Sequence, residues 1–95
     1  MEDTVLKEIC AVARRYGIKE DIVLFGSRAR GDHSAVSDYD IAVFQNTLNA
    51  KEKALFYMDL EDIETLKKID VVFINEQTDK ELLKSIEKEG VSLHE

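Results

Sequence analysis

The sequence predicts an α/β layer fold, on three observations. Short apolar runs rich in strand formers, "IVLF" and "VVFI", alternate with segments whose apolar residues recur at helical spacing. Glycines stand at the ends of these segments, where chain reversals belong. The 95 residues contain no proline, repeat, linker or low-complexity tract, and that length suits one small domain spanning residues 1–95.

The elements follow in order. Residues 3 to 16 carry Val5, Ile9, Val12 and Tyr16 at helical spacing, with Leu6, Cys10 and Ala13 widening the stripe. Gly17 stands where a helix ends. "DIVLF" (Asp21 to Phe25) is the first strand, closed by Gly26. A short helical turn or loop follows and ends near Gly31. "DYDIAVF" (Asp38 to Phe44) is the second strand. Residues 48 to 66, with Leu55, Met58, Ile63 and Leu66, form a helix with a break expected near Asp59 to Asp62. "IDVVFI" (Ile69 to Ile74) is the third strand. Thr78 or Asp79 caps a helix bearing Leu82, Leu83 and Ile86, which stops at Gly90, and "VSLH" can add a last short strand.

Composition narrows the function classes. Hydrophobic content of 44% and charged content of 35% describe a soluble globular chain. No apolar run approaches the roughly 20 residues that span a bilayer. The acidic start Met1-Glu2-Asp3 is unlike a secretory leader, so a cytoplasmic protein is expected. Cys10, the lone cysteine, sits in an apolar row and founds no disulfide framework. The net charge of −7 argues against extended nucleic-acid binding, which draws on many cationic contacts to phosphates. A single nucleoside triphosphate remains compatible, because metal ions and one or two local cations can hold it.

The candidate site emerges from strand parity. Asp38 and Asp40 are two apart, so they share a face of the second strand, with Cα atoms about 7 Å apart. That spacing suits two carboxylates converging on a metal pair. Asp70 enters the third strand at the equivalent edge, and all three meet if the two strands are neighbours. Each has a plainer reading. Asp38 alone is a turn residue, and Asp70 can simply pair with Lys67 or Lys68. Asp40 is harder to dismiss, because a carboxylate inside an apolar strand must be paired or bind metal. Gly26 and Ser27 make a tight turn whose backbone N–H groups can hold phosphate. Arg28 and Arg30 are either solvated charges or phosphate ligands. His33 reads as an exposed loop residue. Tyr39 faces away from the aspartates, toward the core. Ala42, Phe44, Val72 and Ile74 share the aspartates' face, where they either extend an open cleft or lie under the chain's own helices.

Gly26-Ser27, a ten-residue spacer, Asp38-x-Asp40 and a later strand-borne Asp70 together resemble the nucleotidyltransferase superfamily related to DNA polymerase β. More narrowly, "LFGSRARGDHSAVSDYDIAVF" with "IDVVFI" is similar to the minimal nucleotidyltransferases, small prokaryotic proteins made beside a HEPN protein. The resemblance covers nearly the whole chain. It implies a small mixed β-sheet with helices packed on one face and an open metal-bearing cleft on the other. It implies transfer of AMP from ATP to a hydroxyl, with Asp38 and Asp40 holding two Mg²⁺ and Asp70 completing the site or acting as base. It also implies a HEPN-type RNase toxin as partner, modified on a tyrosine, with the protein acting as antitoxin. Because the core uses every residue, the acceptor is expected to bring its own binding surface, and a homo- or hetero-oligomer is compatible with that. The rival is a binding module that neutralises its partner by occlusion, without chemistry.

Overall fold

The computed structural model describes residues 4–31, 38–44, 47–65 and 67–93, with the backbone alone at Ser27 and Arg30. Its elements run α1 (Thr4–Arg15), β1 (Ile22–Phe25), α2 (Ser27–Arg30), β2 (Tyr39–Val43), α3 (Ala50–Glu61), β3 (Ile69–Phe73), α4 (Lys80–Glu89) and β4 (Val91–Ser92). The four strands form one mixed sheet in the order β3-β2-β1-β4. β1 pairs antiparallel with β2 and β4, whereas β2 and β3 run parallel. No helix among the described residues is long and apolar enough to cross a membrane.

Local chemistry explains most element ends. Gly17 follows α1 at φ +80°, a conformation that costs other residues a Cβ clash. α3 begins with a reciprocal cap. Asn49 accepts from the Glu52 backbone N–H at 2.8 Å, and Glu52 accepts from the Asn49 N–H at 3.0 Å. Its far end stops at Asp62, within the stretch where a break is expected, and Leu66 lies outside the described residues. Asp59, Glu61 and Asp62 place negative charge on the negative end of the helix dipole, and its last turn carries no basic residue. Of the two cap candidates for α4, Asp79 is the cap, accepting from the Glu81 N–H at 3.1 Å. Thr78 instead closes the preceding turn, where its hydroxyl accepts from the Asn75 N–H.

The main core lies on one side of the sheet. Alternate strand residues Ile22, Leu24, Tyr39, Ile41 and Val43 pack beneath α1 and α3, which contribute Ile9, Val12, Ala13, Phe56 and Leu60. Phe56 is fully buried and meets the rings of Tyr16 and Phe73 edge-on, at centroid distances of 5.5 and 5.9 Å. The Tyr16 hydroxyl donates to Asp59 and ties the end of α1 to α3. That hydrogen bond, aided by burial and the nearby negative charge, raises the Tyr16 pKa above 10.0.

β3 is an edge strand whose exposed backbone is partly guarded. Lys68 O and Ile74 N bond toward β2, so the odd-numbered peptide groups of β3 face outward. The Tyr57 hydroxyl donates to one of them, Val71 O, at 3.3 Å. Its ring packs edge-on against Phe73. This covers part of an edge that would otherwise invite another strand.

The second face is divided. Ala42, Ile74 and Ile86 form a smaller cluster joined by Val23, Phe25, Val72, Leu82 and Leu83. Ala42, Val72 and Ile74 therefore lie under α4, and only Phe44 of that apolar set remains exposed. The cause is amphipathicity: α4 carries its leucines and Ile86 on one side and must bury them. Neither Asp40 nor Asp70 is among the residues packed with α4, and the Asp70 side chain is 40% accessible.

Candidate active site

Gly26, Asp40 and Asp70 meet because three neighbouring strands place them there. Phe25 pairs with Asp40 across β1 and β2, and Asp40 pairs with Asp70 across β2 and β3. Register partners point to the same face, so both carboxylates rise side by side from strands about 4.8 Å apart. For the aspartates to meet, the second and third strands had to be neighbours; they are adjacent, with Asp40 and Asp70 in register. Asp38 is exposed and immediately precedes β2. The Tyr39 N–H donates to Lys68 O at 2.9 Å, so the ladder continues to that position and its alternation puts Asp38 on the Asp40 side.

Gly26 is required by both its backbone and its surroundings. Its φ is +79°, and a Cβ there would overlap Asp40 Oδ2 and stand 3.2 Å from Asp40 Cγ. The turn therefore runs against the carboxylate, so whatever Asp40 holds is within reach of the turn's backbone. Ser27 opens α2 and Arg30 closes it. Their side chains lie outside the described residues, as does the 32–37 spacer with His33.

Arg28 has an aromatic neighbour that residue spacing does not reveal. Its guanidinium carbon lies 3.9 Å from the centroid of the Tyr39 ring. Tyr39 is nearly fully buried in the main core, on the face opposite Asp40. A cation over an aromatic face is held by the ring quadrupole. In this arrangement Arg28 ties α2 to the start of β2.

Asp70 has a cationic neighbour, with Lys68 Nζ 3.4 Å from Asp70 Oδ1. Sequence reading left Lys67 and Lys68 as equal alternatives for this pair. Strand alternation decides between them, because Lys68 and Asp70 differ by two and share a face. Lys67 and Lys68 both line a cavity of about 250 Å³ between α3 and the start of β3, together with Tyr57, Leu60, Ile63 and Thr65.

Among the described residues, no three acidic, histidine or cysteine side chains stand close enough together to hold a metal ion by themselves. The donor set still fits a hard divalent cation that arrives with a phosphate ligand. Mg²⁺ prefers oxygen donors and is usually held by one or two carboxylates plus substrate phosphates. Asp40 and Asp70, both half-buried, supply such a pair, with the exposed Asp38 beside them.

Comparison with known proteins agrees with this fold. A crystal structure described as a toxin–antitoxin with AMP-PNP is similar in fold, with a TM-score of 0.71 and 26% identity. That match covers 93% of this chain and 71% of the other. A Sulfolobus solfataricus protein described as a candidate nucleotidyltransferase gives a TM-score of 0.58 at 27% identity, over 93% of this chain and 75% of that one. Among curated proteins no sequence matches. Residues 7–95 match the family described as Polymerase beta, Nucleotidyltransferase, and the chain belongs to that family.

Proposed function

We propose that this protein transfers AMP from ATP to a hydroxyl of a protein partner, a HEPN-type RNase toxin modified on tyrosine, and so acts as an antitoxin in the cytoplasm. The observation that carries the reading is the register of Asp40 with Asp70, with the Gly26 turn pressed against the Asp40 carboxylate. The similarity to a toxin–antitoxin structure containing AMP-PNP supports the nucleotide and the kind of partner.

The chemistry is an in-line displacement. The acceptor oxygen forms a bond to the α-phosphorus, the bond from that phosphorus to the bridging oxygen breaks, and pyrophosphate leaves. Asp38 and Asp40 would hold Mg²⁺ together with the triphosphate, and Asp70 would share a second ion. When bound, Mg²⁺ supplies charge neutralisation on the phosphates and lowers the pKa of the attacking hydroxyl. In place of that metal role, Asp70 could act as the base that receives the proton the hydroxyl loses. The Gly26-Ser27 backbone cradles the triphosphate, and Arg28 or Arg30 meets the charge of the pyrophosphate.

The test is to incubate the protein with ATP, Mg²⁺ and its genomic-neighbour product, then weigh that product by mass spectrometry. Addition of one or more AMP groups, abolished by Asp38→Ala with Asp40→Ala, is the expected result. Full modification by the double variant contradicts the reading. Stable binding of the partner with no mass change under any condition replaces it with neutralisation by occlusion.

A further inference from the structure

The strands that present the carboxylates also bring a lysine to the same surface. Lys68 stands two residues before Asp70, and its ammonium lies 3.4 Å from Asp70 Oδ1. Tyr39 pairs with Ile69, and the Tyr39 N–H donates to Lys68 O, so the register continued by one step sets Lys68 beside Asp38. One cation is therefore placed at the sheet edge next to two acidic positions, while Asp40 and Asp70 stand in register behind it. Like charges so arranged repel, and a neighbouring cation offsets that repulsion.

We infer that Lys68 is a positioning residue: its ammonium holds the Asp70 carboxylate on the cleft face until a divalent cation takes the same oxygen. Metal binding at Asp70 is then an exchange of one cation for another. The exposure of the pair suits an exchange, because the Lys68 side chain is 73% accessible and that of Asp70 40%. A pair this open to solvent is a weak competitor, able to shift an equilibrium by no more than about fivefold. It is also screened by salt, since at 1 M ionic strength the Debye length falls to about 3 Å. A lysine suits the part better than an arginine would, because an ammonium is a point charge and does not grip a carboxylate through two parallel hydrogen bonds.

The inference rests on the metal-dependent reading of Asp40 and Asp70, and one titration separates the two. Free Mn²⁺ is measured by electron paramagnetic resonance as it is added to nucleotide-free protein, using the wild type, Asp40→Asn, Lys68→Met and Lys68→Gln. At low ionic strength both Lys68 variants should bind Mn²⁺ about three- to fivefold tighter than the wild type, as expected when a weak surface competitor is removed. In 1 M salt that difference should largely vanish. Lys68→Arg should bind no more tightly than the wild type. Wild-type binding that needs Asp40 but is unchanged or weakened in both Lys68→Met and Lys68→Gln overturns the role of Lys68 and leaves the functional reading standing. Wild-type protein that takes up no Mn²⁺ overturns the role of Lys68, which needs a metal to compete with, and uptake equal to that of Asp40→Asn overturns both.

Discussion

The two faces of the sheet are made from alternate residues of the same strands, and they have opposite fates. On one face Ile22, Leu24, Ile41 and Val43 disappear beneath α1 and α3. On the other, Val23, Ala42 and Val72 are covered by α4, but Phe25 and Asp40 lead out to an end that carries Asp70 beside Lys68. The difference lies in how far each helix layer reaches. Among the described residues, two helices cover the first face, whereas α4 packs on the second without reaching Asp40. The comparison teaches that stability and candidate chemistry are separated by one step in sequence: Ile41 is fully buried, and its neighbour Asp40 belongs to the site.

Substitutions on the closed face should break the fold. Phe56 is fully buried among Tyr16, Tyr57 and Phe73, so Phe56→Ala should lower unfolding stability by about 3–5 kcal/mol in urea denaturation. That is a large part of the total for a domain this small. A loss below about 1 kcal/mol, against the core losses usual for such a truncation, would mean that the closed face is not the stabilising one.

At the junction of the two faces the effect should be mixed. Gly26→Ala forces a side chain into a left-handed backbone conformation, which costs about 1–2 kcal/mol. It also drives a methyl group into the Asp40 carboxylate. Stability should fall modestly while nucleotide transfer falls much further. An equal and modest loss in both would show that the carboxylate's position does not matter.

The smallest effect belongs to the tie between α1 and α3. The Tyr16 pKa is raised, mainly by its hydrogen bond to Asp59, so the folded state holds that proton more tightly than the unfolded chain does. The stabilisation is complete below pH 10.0, the ordinary value, and fades as pH rises through the raised one. Melting temperatures of Tyr16→Phe should sit slightly below the wild type at neutral pH, and the gap should close in strong alkali. A gap that widens with pH would reverse the assignment.

Much of this arrangement was legible in the sequence because it depends on period-two alternation. Asp38, Asp40 and the inward Tyr39 are sorted by parity alone, and the strand "IDVVFI" placed Asp70 at its edge. Adjacency of β2 and β3 was only a condition there, since pairing across 30 residues is a tertiary outcome that local pattern does not dictate. The cover over Ala42, Val72 and Ile74 was undecided for the same reason: α4 shows an apolar stripe, but its sequence does not say which surface receives it. Arg28 was weighed only as a free charge or a phosphate ligand. Its place over Tyr39 depends on how α2 leaves Gly26, and a turn at φ +79° is not written in residue spacing. The selection of Lys68 over Lys67 was within reach, because the same alternation that grouped the aspartates also groups Lys68 with Asp70.

The central claim is that the end of the second face, with Asp40 at its middle, binds a metal–nucleotide complex. Calorimetric titration of a non-hydrolysable ATP analogue with Mg²⁺ into wild-type protein and Asp40→Asn tests it most directly. The account predicts saturable binding by the wild type and loss of at least about tenfold in affinity when the carboxylate is replaced, as expected for a buried or shared charge contact. Equal affinity in the two proteins would contradict it.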